Sequence, residues 1–180
     1  MKNLIHSGGA LGADSIFGDI GIANNYSVAH HSFYGHTCNG AGTRIIHSAS
    51  ELALADNALI KANATLKRFY PPKSAYVQKL LQRNYYQILN SQFVVAIATI
   101  NKYTDTVNGG TGWATQMAVD MQIPVYVFDC ADNKWYKKLP GTKFTPCSLS
   151  DVPNTGVFAG IGSREITPQG REQIRLLLES

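Results

Sequence analysis

Residues 93–128 read FVVAIATINKYTDTVNGGTGWATQMAVDMQIPVYVF. The first six, Phe93-Val94-Val95-Ala96-Ile97-Ala98, are apolar without a break, as expected of a strand buried on both faces. A polar loop then leads into Gly109-Gly110-Thr111-Gly112, a helix runs on through Met121, and Pro124-Val125-Tyr126-Val127-Phe128 reads as another buried strand. All-apolar strands alternating with helices mean an α/β fold with a parallel sheet.

The flanking sequence has the same rhythm. Residues 3–6 are a short apolar segment ending in Ser7-Gly8-Gly9-Ala10-Leu11-Gly12, and residues 13–23 have helical spacing with Ile16, Phe17 and Ile20 on one face. Residues 27–31 read as a second strand, followed by a polar, glycine-bearing loop over 33–43. The spacing of Leu52, Ala55, Leu59 and Ala62 predicts one helix over 48–67, opened by a Ser48/Glu51 capping box. Pro71-Pro72 ends it, and residues 74–90 form the next helix, carrying Val77, Leu80, Leu81, Tyr85 and Ile88. Residues 132–153, with three prolines and Trp135-Tyr136, predict a short hairpin or edge strand. Residues 157–161 make the last strand, leading to Gly162-Ser163-Arg164-Glu165 and a closing helix from Pro168.

At 180 residues and 44% hydrophobic content, the chain suits one domain over 1–180 with a real core. Sixteen Lys+Arg against twelve Asp+Glu leave +4, which suits a small anionic ligand and is too little for a nucleic-acid groove. Cys38, Cys130 and Cys147 share no CxxC spacing and read as reduced thiols. The longest apolar run falls far short of the roughly 20 residues of a membrane span, and Met1-Lys2 pass straight into a strand with no signal peptide. The expectation is a cytoplasmic protein with no membrane partner.

Three strand-to-helix junctions carry small residues: at 7–10, at 109–112 and at 160–164. In a parallel sheet such loops share the carboxyl edge, where ligands bind, and each helix N-terminus offers N–H groups to an anion. Neither GxxxxGK[ST] nor GxGxxG is present, which disfavours a P-loop and an ordinary dinucleotide enzyme.

Taken together, Ser7-Gly8-Gly9-Ala10-Leu11-Gly12-Ala13-Asp14, the pair Arg83-Asn84, Gly109-Gly110-Thr111-Gly112 and Gly160-Ile161-Gly162-Ser163-Arg164-Glu165 resemble the signatures of the SLOG superfamily. That group includes the LOG cytokinin-activating enzymes, the DNA-processing protein DprA and small phage and bacterial proteins. The resemblance spans almost the whole chain and is nearest to phage-type members. It implies a Rossmann-like parallel sheet flanked by helices. In such relatives the GIGSRE strand opens the fold, whereas here it comes last, so the resemblance implies a circular permutation that brings Ser180 near Met1. A family of molybdenum-cofactor carriers has a similar order.

LOG enzymes use a PGGxGTxxE loop. Laid over residues 108–116, its proline is Asn108, its threonine is Trp113 and its glutamate is Gln116. An amide can hydrogen-bond a ribose hydroxyl but cannot act as a carboxylate base. The resemblance therefore implies non-catalytic binding of a nucleotide-derived signal, such as a cyclic ADP-ribose or cyclic nucleotide. It further implies sequestration that counteracts a bacterial antiviral system, in the host cytoplasm if the protein is phage-encoded. The alternative is a nucleotide N-glycosidase or phosphoribohydrolase using Glu165 or Asp14. A homodimer or higher homo-oligomer is expected, with no cofactor, metal or catalytic residue.

The expected ligand-binding residues come from the three junctions. The first supplies Ser7, Gly8, Gly9, Ala10, Gly12 and Asp14, the second Gly109, Gly110, Thr111, Gly112 and Gln116, the third Gly162, Ser163, Arg164 and Glu165. Asp14 is either a first-turn helix acid or a ligand contact, and Arg164 either a phosphate or ribose ligand or half of a surface ion pair. Arg83-Asn84 lies on a solvated helix face or braces the loops. Trp113 stacks on a base or packs in the core. His30 and His31 are adjacent on a strand and point to opposite faces, which argues against a metal centre.

Overall fold

The apolar run at 93–98 forms β4 (Phe93–Ala98), buried at every residue. A computed structural model describes residues 3–180. Before β4 come β1 (Leu4–Ser7), α1 (Ala13–Ala23), β2 (Ser27–Phe33), β3 (Thr43–His47), α2 (Ala49–Ala53), α3 (Asp56–Leu66) and α4 (Ala75–Ile88). After it come the small β5–β6 ribbon (Ile100–Asn101, Thr106–Val107), α5 (Gly109–Asp120), β7 (Val125–Asp129) and β8 (Lys134–Lys138). The chain finishes with β9 (Thr145–Cys147), β10 (Val157–Gly162) and α6 (Pro168–Glu179).

Eight strands make one sheet in the order β3-β2-β1-β10-β4-β7-β8-β9. The six from β3 to β7 are parallel, and β8 and β9 add an antiparallel hairpin at one edge, where the proline-bearing segment predicts it. One sheet face buries Ile5, Val95, Ile97 and Phe158 against Phe17 of α1 and Ile174 and Leu177 of α6. The other buries Val94, Ala96, Val127 and Ile161 against Ile88 of α4 and Ala114 and Ala118 of α5. Outside that layer, Leu59 and Ala62 of α3 pack on Leu81, Trp113 and Met117. Each such large side chain contributes about 1.5–3 kcal/mol of apolar burial. The fold is α/β, Rossmann-like, with helices on both faces.

Three local expectations need correction. The helix predicted over 48–67 is two helices: at Leu54 and Ala55 the backbone tightens to i→i−3 bonds onto Glu51 and Leu52. Leu52 and Ala55 both stay buried across the break, so the apolar spacing continues although the helix does not. Second, β3 falls where no strand is expected, because it is a sheet edge with Thr43 to Ile46 exposed and shows no buried pattern. Third, Gly109 to Gly112 are not a loop before α5 but its first turn.

The position of β10 organises the site. The last strand lies between β1 and β4; β1, β2 and β3 step away on one side, β4 and β7 on the other. The direction of winding therefore reverses between β10 and β4, where α6 and α5 leave on opposite faces and open a crevice at the carboxyl edge. Met1 lies outside the described residues, but Asn3 and Ser180 meet one turn: Gly156 N–H donates to Asn3 Oδ1 at 3.0 Å and Asn154 Nδ2 to the Ser180 carbonyl at 3.1 Å. Among the described residues no helix is long and apolar enough to cross a membrane.

Close approach of α1 to β10 depends on Gly160, where a methyl group would lie 2.7 Å from the Phe17 ring and 2.9 Å from Ile5 Cγ2. Gly160→Ala is expected to overpack this layer and lower unfolding free energy by about 1–3 kcal/mol, read by urea denaturation at an unchanged m-value.

Candidate functional site

A cleft of about 440 Å³ opens at the carboxyl edge beside β10. Its floor depends on one residue of α4. Arg83 is 5% exposed, and its Nη1 lies 3.4 Å from Asp14 Oδ2 on α1. Asp14 Oδ1 accepts from the Gly162 N–H at 3.2 Å, so one carboxylate ties α1, α4 and the end of β10 together. Gln87, one turn further along α4, turns its amide oxygen to accept from Arg83 Nη1 and from the Gly8 N–H. Burial raises the Asp14 pKa, and the Arg83 charge and the Gly162 N–H pull it back. Arg83 Nε is buried with no hydrogen-bond partner among the described residues.

The glycines divide into two kinds. At Gly8 a methyl group would overlap the Arg83 guanidinium, and at Gly12, with φ +101°, it would strike the Arg164 carbonyl. Gly9, Gly112 and Gly162 are likewise packed, against Cys38 and the carbonyls of Val107 and Ile97. These five let segments of the protein approach one another. Among the described residues nothing lies within 4 Å of a Cβ position at Gly109 or Gly110, and both border the cleft. Asn108, the N-cap of α5, makes no side-chain hydrogen bond to the first turn, which leaves its N–H groups to other partners. The N-terminus of α1 differs, since Ala13 N–H already donates to the Ser163 carbonyl at 3.1 Å.

Of the residues expected at the site, Ala10, Asp14, Gly109, Gly110 and Thr111 line the cleft, joined by Gly162, Ser163 and Arg164. Ser7, Gly8, Gly9, Gly12 and Gly112 are outside the lining; Ser7 Oγ donates to the Asp14 carbonyl at 3.3 Å. Gln116 is not brought to the cleft: it is buried along α5 and donates to Asp120 Oδ1 at 2.9 Å. Glu165 is exposed and also outside the lining. Trp113 packs in the core and carries Arg68 5.9 Å from its ring centre. That Arg68 donates to the carbonyls of Gly109 and Val107 at 2.7 and 2.8 Å and so braces the start of α5. No local signal in the sequence marks it, since its partners are about forty residues away.

From α4 the lining takes Val77, Leu80 and Leu81 beside Arg83, Asn84 and Gln87. Gln82, Arg83, Asn84 and Gln87 are all buried, so this polar face is not a solvated one. The cleft thus combines the apolar Val77, Leu80 and Leu81 and the buried polar residues of α4 with glycine, threonine, serine and arginine from the strand-to-helix junctions. Arg83 and Arg164 outweigh Asp14, and the positive end of α5 adds to them. His30 faces α1, near Gly18, while His31 stacks near Tyr86 of α4. Among the described residues no group of three His, Cys, Asp or Glu side chains is placed to hold a metal ion.

No family model, curated protein or solved structure matches this chain.

The site's geometry separates two glycine substitutions. Gly8→Ala forces Arg83 off Asp14 and leaves a buried charge unpaired, so a loss of about 3–5 kcal/mol is expected. Gly110→Ala meets open space within a helix and is expected to change stability by less than about 1 kcal/mol, in the stabilising direction. Chemical denaturation of the two variants checks both.

Proposed function

We propose that the cleft holds a nucleotide-derived anionic small molecule and does not cut it. The observation that carries this reading is the buried Arg83, whose Nε has no partner among the described residues, beside the first turn of α5, uncapped and open at Gly109 and Gly110. A cation and a helix N-terminus lining one cleft favour a phosphate-like group. The volume suits a drug-sized molecule, and the Val77–Leu80–Leu81 wall offers an apolar surface to a flat base.

Holding is favoured over cleavage by the acids. Asp14 lines the cleft but is engaged by Arg83 and the Gly162 N–H, which does not leave it as a ready base. Gln116 stands where the LOG glutamate would, and it turns to Asp120. The resemblance to SLOG proteins supports the finer reading, a cyclic ADP-ribose or cyclic nucleotide signal that the protein sequesters. The strand order supports the permuted arrangement: counted from β10, the winding starts in the middle of the sheet and moves outward on both sides.

The test is to incubate the protein with nucleotides, ADP-ribose and cyclic ADP-ribose isomers, remove unbound material, denature, and weigh the released molecules by mass spectrometry. One equivalent of intact ligand is expected. Arg164→Ala, which removes a charge-assisted contact worth about 1.5–3 kcal/mol, is expected to weaken retention at least tenfold, and Gly110→Ala to block it without loss of stability. Free base or another product accumulating beyond one equivalent would overturn the reading.

A further inference from the structure

Outside the cleft, three imidazoles form a row under α4. His6 Nδ1 of β1 is 2.9 Å from His31 Nε2 of β2, and His31 Nδ1 is 2.9 Å from His47 Nε2 of β3. All three are buried. Tyr86 of α4 stacks on His47 with ring centres 3.8 Å apart and lies 6.2 Å from His31, while its hydroxyl donates to the Glu51 carbonyl of α2 at 2.6 Å. The row therefore joins three parallel strands to the helix that carries Arg83.

We infer that this row is an acid-sensitive latch: it takes up one extra proton in place and comes apart on the second, releasing α4. The reason is a count of hydrogens. Each 2.9 Å gap between ring nitrogens holds one hydrogen. A neutral His31 fills one gap with its own N–H and must receive a hydrogen in the other, so the neutral rings form a directed chain. One added proton goes to the outer nitrogen of the ring that heads the chain, with both contacts intact. Every remaining bare nitrogen is already receiving a hydrogen bond, so a second proton places two hydrogens in one gap.

The surroundings set the direction of the pH response. Burial holds His6, His31 and His47 below the ordinary imidazole value, His31 at about 3. The two flanking rings, Arg83 of α4 and His30 on the other sheet face also oppose charge on His31, whereas Glu51 of α2 favours it on His47. The folded rings are thus weaker bases than the unfolded ones, whose value is 6.5. Their contribution to stability is full above pH 6.5 and is lost as pH falls below it. Arg83 and Tyr86 are three residues apart on one helix, so movement that frees Tyr86 carries Arg83 with it.

The experiment is hydrogen exchange of the whole protein from pH 7.5 to 5.0, corrected for intrinsic chemistry. In the wild type, amides of 75–88 are expected to lose protection more steeply than about tenfold per pH unit, the limit for a single proton, while β4 and β7 stay protected. His31→Leu removes the shared gaps, and its α4 is expected to stay protected at pH 5.0. A wild-type α4 with no such pH dependence, or a His31→Leu variant that releases α4 as steeply, overturns the latch. If that variant does not fold, long-range ¹H–¹⁵N spectra of the wild-type imidazoles decide. One charged ring before α4 opens, and the second together with opening, is the expected sequence. Two charged rings under a seated α4 would contradict it.

Discussion

A buried charge can stay in a protein interior only if its partners are fixed, and Arg83 imposes that requirement on its surroundings. Asp14 must face it from α1, Gln87 must turn toward it, Gly8 must have no side chain, and Gly162 must direct its N–H to the same carboxylate. The first and third glycine junctions are shaped by one guanidinium. The cleft is the space left beside that construction, bounded on its far side by the first turn of α5.

Topology brings these parts within reach. With β10 between β1 and β4, the ends of the first and last strands are neighbours although they are far apart in sequence. The long connection after β3 then lays α4 across β2, β1 and β10, which carries Arg83 over the sheet edge. A glycine-rich loop is a weak indicator of a ligand site for the same reason. Most of these glycines admit a neighbouring segment of the chain, and only Gly109 and Gly110 face open space over a helix N-terminus.

The legible parts of the fold were those where burial leaves a pattern. β4 and β7 are apolar throughout their buried spans up to Asp129, and α1 ends at the residues its spacing indicates. The edge strand β3 left no such mark, and the α2–α3 break was hidden because both pieces bury one continuous stripe. At the site, the glycine junctions were visible as residue types, whereas the α4 wall was not. Gln82, Arg83, Asn84 and Gln87 have the composition of a solvated helix face, and their burial is set by tertiary contacts that no local window contains. The same holds for Arg68, and for the His6–His31–His47 row, assembled from three strands whose register must be known first.

The central claim is that Asp14 and Arg83 act as one unit, and a double-mutant cycle tests it most directly. Unfolding free energies of Asp14→Asn, Arg83→Gln and the double variant would be measured at pH 7.5 by chemical denaturation. A coupling energy of about 2 kcal/mol or more, with the double variant more stable than the sum of the single losses allows, is the predicted result. Losses that add to within about 0.5 kcal/mol would mean that the two charges act separately, and would contradict a cleft floor built on their pairing.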